Sequence, residues 1–242
     1  MENASNIQAV TLQLPTHRRY QENLDLLLEL IEKHHDKKLI IAPEVVLTGF
    51  DYERMDTVAK FSILALKSLK KAIKDQIVIL TLILQKEEQF VNQAVVIHQH
   101  KIVYRQNKTK LFALGGEERF FTAGATRSIK IFEIEGVRYA ILICFELRFK
   151  DLWKRIEGSD VVIIPAKWGK PRKTHLETLS RALAIMNQCY VIVSNSTDED
   201  MACASAIISP NGEVTQDDSQ TSIAGKIDMR EIQKMRRYIA MS

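Results

Sequence analysis

A layered α/β sandwich with mixed sheets is the fold class this 242-residue chain predicts, and three observations carry it. Apolar runs of strand length alternate with amphipathic helical stretches toward both ends of the chain. Two pairs of runs in the middle are joined by tight turns. No internal repeat or low-complexity linker divides the sequence, so residues 1–242 read as one domain. Crossovers give parallel neighbours and tight turns give antiparallel ones, which points to mixed sheets rather than a purely parallel doubly wound fold.

The elements follow in order. Residues 7–14 alternate like a strand, and 23–33 carry Leu24, Leu27, Leu28 and Ile31 at helical spacing. Residues 38–42 form a short buried strand. Residues 56–74 repeat Val58, Phe61, Ile63, Leu64, Leu66, Leu69 and Ile73 broadly at helical spacing, and 76–84 return to a β-branched apolar run. Residues 89–98 and 101–105 pair as a hairpin through His98-Gln99-His100-Lys101, whose histidines read as solvated turn residues rather than a metal pair. Residues 128–133 and 137–144 pair through Glu135-Gly136. The alternation then resumes: helix 151–157, strand 161–165, helix 173–188, strand 190–195. Two short strands, 204–209 and 213–215, flank Pro210-Asn211-Gly212, and strand 223–227 precedes a terminal helix.

Composition excludes several function classes. A net charge of +4 could suggest nucleic acid, yet the lysines are scattered among acids and no basic block is interleaved with aromatics. No apolar stretch approaches the length of a membrane span, and Glu2 stands where a signal peptide carries base, so no membrane partner and a cytoplasmic location are expected. Three cysteines without a CxxC make neither a disulfide framework nor a zinc knuckle.

Three strand ends carry chemistry. Cys144 closes the run 138–143 just before Phe145-Glu146-Leu147-Arg148-Phe149, where α/β enzymes place nucleophiles. Glu44 follows Ile40-Ile41-Ala42-Pro43, and Lys108 opens Lys108-Thr109-Lys110-Leu111-Phe112. A thiol needs a base or a cation to react at neutral pH, and these two residues supply both. Taken singly, each has a plain structural reading: core cysteine, helix-start carboxylate, solvated lysine. Glu117, after Gly115-Gly116, reads singly as an exposed loop carboxylate.

Together and in this order, the segments resemble the nitrilase, or carbon-nitrogen hydrolase, superfamily over nearly the whole length. Ala-Pro-Glu44 matches its general-base glutamate, Lys108 its catalytic lysine, Cys144 its nucleophile, and Glu117 the second glutamate that supports the triad. The segments 160–168 and 181–190 are similar to the strand, pocket loop and helix that follow. Departures are Lys110 for a customary histidine, Glu146 where aspartate is frequent, Lys150 for proline, and Leu183 and Met186 for Arg and Glu.

The resemblance implies an α-β-β-α sandwich of two mixed sheets, four layers per subunit, assembled as a homodimer or higher homo-oligomer. It implies a cysteine-dependent hydrolase of a small non-peptide amide that releases ammonia through a thioester, with the Phe145 backbone N–H beside Lys108 as oxyanion donor and no metal or cofactor. The segment 165–190 looks closest to the omega-amidase-like branch, which hydrolyses dicarboxylate monoamides; N-carbamoyl or short aliphatic amide hydrolysis is the alternative within the family. A catalytically silent binding or assembly module is the alternative outside it. Trp168, Lys170, Arg172 and His175 follow a strand end and are candidates for substrate binding, the basic ones suiting a substrate carboxylate.

Overall fold

The computed structural model describes residues 6–240; residues 1–5, on which the expectation of no leader was read, lie outside it. The chain runs β1 (Asn6–Leu12), α1 (Tyr20–Lys33), β2 (Leu39–Ile41), α2 (Met55–Ala72), β3 (Ile77–Lys86), β4 (Gln89–His98), β5 (Lys101–Asn107), β6 (Phe132–Ile134) and β7 (Val137–Ile141). It continues α3 (Lys150–Arg155), β8 (Val161–Pro165), α4 (Lys173–Asn187), β9 (Tyr190–Ser194), β10 (Ala206–Ile208), β11 (Val214–Gln216), β12 (Ser222–Asp228) and α5 (Met229–Tyr238). Two six-stranded sheets result, ordered β12-β1-β2-β3-β4-β5 and β11-β10-β9-β8-β7-β6. Both are mixed: β1, β2 and β3 run parallel, as do β7, β8 and β9, and antiparallel strands flank each trio.

Strand periodicity sorts the core. Val10, Ile40, Val78, Leu80 and Val95 point outward beneath Leu24, Leu27 and Ile31 of α1 and Leu66 and Leu69 of α2. Their neighbours Ala9, Leu39, Ile41, Ile79 and Val96 point inward and share one core with the second sheet, which continues under Leu152 of α3 and Leu176 and Leu183 of α4. Each such aliphatic side chain contributes roughly 1.5–3 kcal/mol by leaving water. The layers are therefore helix, sheet, sheet, helix, an α-β-β-α sandwich as expected. Polar stitches join the sheets through this core: Thr11 Oγ1 donates to the Val193 carbonyl at 2.7 Å, and Ser194 Oγ to that of Leu12 at 2.6 Å.

Three expectations differ in detail. The strand expected at 128–133 begins only at Phe132, because Ser128 turns back and gives both its N–H and its hydroxyl to the Ala125 carbonyl. Ile63 and Leu64 of α2 face outward, since the stripe facing the sheet is already filled by Val58, Ser62, Ala65 and Leu69. His98 is buried rather than solvated: its Nδ1 lies 3.1 Å from the Gln76 carbonyl where the β4–β5 hairpin folds back on the start of β3.

Candidate active site

The strand ends predicted to carry chemistry converge at one edge of the sandwich. Glu44, beyond β2, is anchored by its N–H on the Ala166 carbonyl of the other sheet, and Lys108, beyond β5, by its N–H on the Asn92 carbonyl. Cys144 lies beyond β7, at the start of the 3-10 turn Cys144–Arg148, with φ at +51°. A left-handed backbone at a non-glycine residue costs about 1–3 kcal/mol, and here it turns the thiol out of the strand line toward the first sheet.

The groups are buried together. Lys108 Nζ donates to Glu44 Oε1 at 2.8 Å and to Glu117 Oε1 at 2.6 Å, and all three side chains are between 0 and 5% exposed. Asn92 Nδ2 donates to the same Glu44 oxygen at 2.8 Å, while Glu117 Oε2 accepts the Phe112 N–H at 3.0 Å. Among the described residues no donor reaches the buried Glu44 Oε2, and the charge of Glu44 acts on the neighbouring Cys144 thiol. An ammonium has three donors, so Lys108 keeps one beyond its two carboxylates.

Electrostatics follows from this packing. Burial, then the Glu44 charge, push the Cys144 thiol well above its ordinary range; Lys108 and the Lys167 backbone N–H pull the other way. Burial opposes the charge on Lys108, yet Glu44, the sulfur and Glu117 outweigh it and hold the ammonium well above the ordinary lysine range. Burial and the charge of Glu44 push Glu117 upward against the pull of Lys108. The resting thiol is thus neutral and needs a base at the moment of attack. The first-turn N–H of Phe145 donates to no backbone carbonyl among the described residues and is free for a developing oxyanion.

Beside the thiol is a cavity of about 30 Å³ lined by Phe112, Cys144, Phe145, Arg148, Lys167, Trp168 and Arg172. Two of the four residues expected to bind substrate, Trp168 and Arg172, line it. Lys170 is exposed and lies outside the lining, and exposed His175 touches it only through Arg148, whose Nη2 lies 2.9 Å from His175 Nδ1. Both arginines rest on aromatic rings, Arg148 at 4.7 Å from the Trp168 centroid and Arg172 at 5.3 Å from that of Phe112. Neither pairs with an acid among the described residues.

Sequence reasoning missed Asn92, Arg148 and Lys167. Asn92 is one of two neighbouring amides in a largely apolar strand, and Arg148 follows Cys144 closely enough to have been suspected. Lys167 Nζ pairs with Asp198 and reaches Thr16 Oγ1 at 3.0 Å, which fixes the loop whose N–H meets the thiol.

The carbon-nitrogen hydrolase family matches residues 8–237. A 2-oxoglutaramate amidase of Bacillus subtilis is 31% identical over 229 residues, covering 89% of this chain and 86% of its own. An omega-amidase of Escherichia coli is 28% identical over 222 residues, covering 82% and 86%. Among solved structures, a carbon-nitrogen hydrolase from Helicobacter pylori superposes with a TM-score of 0.89 at 16% identity, over 97% of this chain and 93% of that one.

Proposed function

Since the chain belongs to the carbon-nitrogen hydrolase family and is an amide-hydrolysing enzyme, we propose that it works through a Cys144 thioester and acts on a small amide that carries a carboxylate. Glu44 takes the thiol proton as sulfur attacks the amide carbon. The oxyanion is held by the spare Lys108 donor and the Phe145 N–H, and Glu44 returns the proton to the departing ammonia. Water activated by the same carboxylate then splits the thioester. Glu117 holds Lys108 in place and neutralises part of its charge.

The observation that carries the substrate reading is the pair of guanidiniums, Arg148 and Arg172, parked beside Cys144 on Trp168 and Phe112 with no acidic partner among the described residues. A cavity of about 30 Å³ holds little more than one water, so substrate enters by moving these side chains, and a carboxylate gives them the partner they lack. That chemistry suits a dicarboxylate monoamide, and the names of the two curated relatives support the same reading. The test is ammonia release from dicarboxylate monoamides, short aliphatic amides and N-carbamoyl amino acids, with Cys144→Ala as control. Arg172→Met should raise KM for the monoamides tenfold or more, on the order of a lost charged hydrogen bond, and spare neutral amides. Equal losses on both would refute carboxylate docking. Homodimerisation is proposed on the family resemblance, with Ile185 and Met186 exposed on α4 in its support; light scattering at 27.7 kDa alone would exclude it.

A further inference from the structure

Glu146 has no part in the chemistry above, yet it is completely buried and sits between two catalytic strand ends. Its Oε2 accepts the N–H of Ile143, the residue before the nucleophile, at 2.6 Å. Its Oε1 accepts the N–H of Thr109, the residue after the catalytic lysine, at 2.6 Å and the Thr109 hydroxyl at 2.9 Å. Ile143 belongs to the end of the second sheet and Thr109 to the end of the first. One carboxylate therefore grips the backbone on both sides of the sheet interface, one residue from Cys144 and one from Lys108.

We propose that Glu146 is a positioning residue, a clasp that fixes the distance between the Cys144 sulfur and the Lys108 ammonium; the inference rests on the reading of Cys144 as nucleophile. Among the described residues no cation is bonded to this buried carboxylate, which makes it expensive, and a core position beside Leu147 would be filled more cheaply by an apolar side chain. Only an ionised carboxylate accepts all three donors at once; an amide turns an N–H toward one of the backbone N–H groups. Burial lifts the Glu146 carboxyl to about 6, against the pull of the Thr109 and Ile143 donors, so the acceptor form prevails at neutral pH.

Two roles are separable by sign. If Glu146 were only a buried negative charge, neutralising it would favour the Cys144 thiolate and speed its alkylation. If it is a clasp, neutralising it loosens the geometry and slows both alkylation and turnover. The experiment measures iodoacetamide modification of Cys144, which needs no substrate, beside kcat and KM for ammonia release in Glu146→Gln, Glu146→Asp and Thr109→Val. The clasp predicts that Glu146→Gln lowers kcat and alkylation together by about a hundredfold, the scale of an ångström misplacement, at little-changed KM. It also predicts that Glu146→Asp, which keeps the charge, recovers a large part of both rates. Faster or unchanged alkylation in a folded Glu146→Gln protein overturns the clasp. Should that variant not fold, Thr109→Val carries the test, because it removes only the hydroxyl donor: a severalfold lower kcat at constant KM supports the clasp and an unchanged kcat overturns it. Wild-type Cys144 reacting no faster than Cys203 overturns the nucleophile reading and the clasp with it, whereas fast wild-type reaction with indifferent variants overturns the clasp alone.

Discussion

Replacing Lys108 by methionine keeps most of the unbranched stem, one atom shorter, and removes a charge that touches two buried carboxylates, at 2.8 Å from Glu44 and 2.6 Å from Glu117. At an effective dielectric of about 20, each contact is worth roughly 6 kcal/mol of Coulomb attraction before desolvation is subtracted. What the variant loses is the smaller difference, about 3–5 kcal/mol for a buried ion pair deprived of one partner. On the proposed mechanism turnover loses an oxyanion donor as well, a loss that alone lowers kcat by about a hundredfold to a thousandfold. The pH dependence has a definite sign. Glu117 is already raised by burial and the Glu44 charge against the pull of Lys108, so without the ammonium it titrates higher still in the folded chain, and its contribution to stability is complete below its unfolded value and lost as pH rises through the raised folded one. Urea unfolding at about pH 5 and pH 8 should therefore show a larger deficit for Lys108→Met at the higher pH, and ammonia release should fall at least a hundredfold. A variant with kcat within tenfold of wild type and a deficit independent of pH would refute this account of the site.

The remaining predictions concern single features. Glu44→Gln removes the base facing the thiol, so turnover should fall by about a hundredfold or more and iodoacetamide modification of Cys144 should slow toward that of Cys203; unchanged rates would exclude Glu44 as the base. The Glu146 carboxyl stands at about 6 against an ordinary 4.5, a raised value whose stability contribution is complete below the unfolded value and lost as pH climbs through the folded one. That amounts to about 2 kcal/mol, read as the difference between the wild-type and Glu146→Gln stability curves, and a flat difference would contradict it. Gly136 turns between β6 and β7 with φ at +78° and open space where a Cβ would project, so Gly136→Ala should cost about 1 kcal/mol from backbone strain alone, measurable in the denaturation midpoint. No measurable loss there would show that the turn relaxes.

Much of the fold was legible because periodicity is local. The strand β3 is written in the β-branched apolar run from Ile77 to Leu84, though a run apolar on both faces does not say which side chains face which layer, and the hairpin at Gln99 and His100 is written in its neighbouring apolar runs. Glu44 and Cys144 drew attention as polar residues closing apolar runs, but Lys108 follows Arg105-Gln106-Asn107, and only the order of the three motifs made the candidate site legible. Asn92 was not, since nothing in β4 says that its amide meets a carboxylate 48 residues earlier. Lys170 and Arg172 looked alike in sequence, two cations in one basic loop. Only the turn Lys170–Arg172 decides that Arg172 lies over Phe112 while Lys170 meets solvent.

Glu44, Asn92 and Lys108 hang from one sheet, whereas Cys144 and Lys167 hang from the other. The candidate site is therefore set like a vernier, by the register of one sheet against the other rather than within either one. The hydroxyls of Thr11 and Ser194 become the pins that stop one scale from creeping along the other, and the Ser194 carbonyl also accepts the N–H of Ala166, the residue that anchors Glu44. A shear too small to expose the core or alter the strands would still part the Glu44 carboxylate from the Cys144 thiol, so on the proposed mechanism activity is expected to be lost on heating before secondary structure.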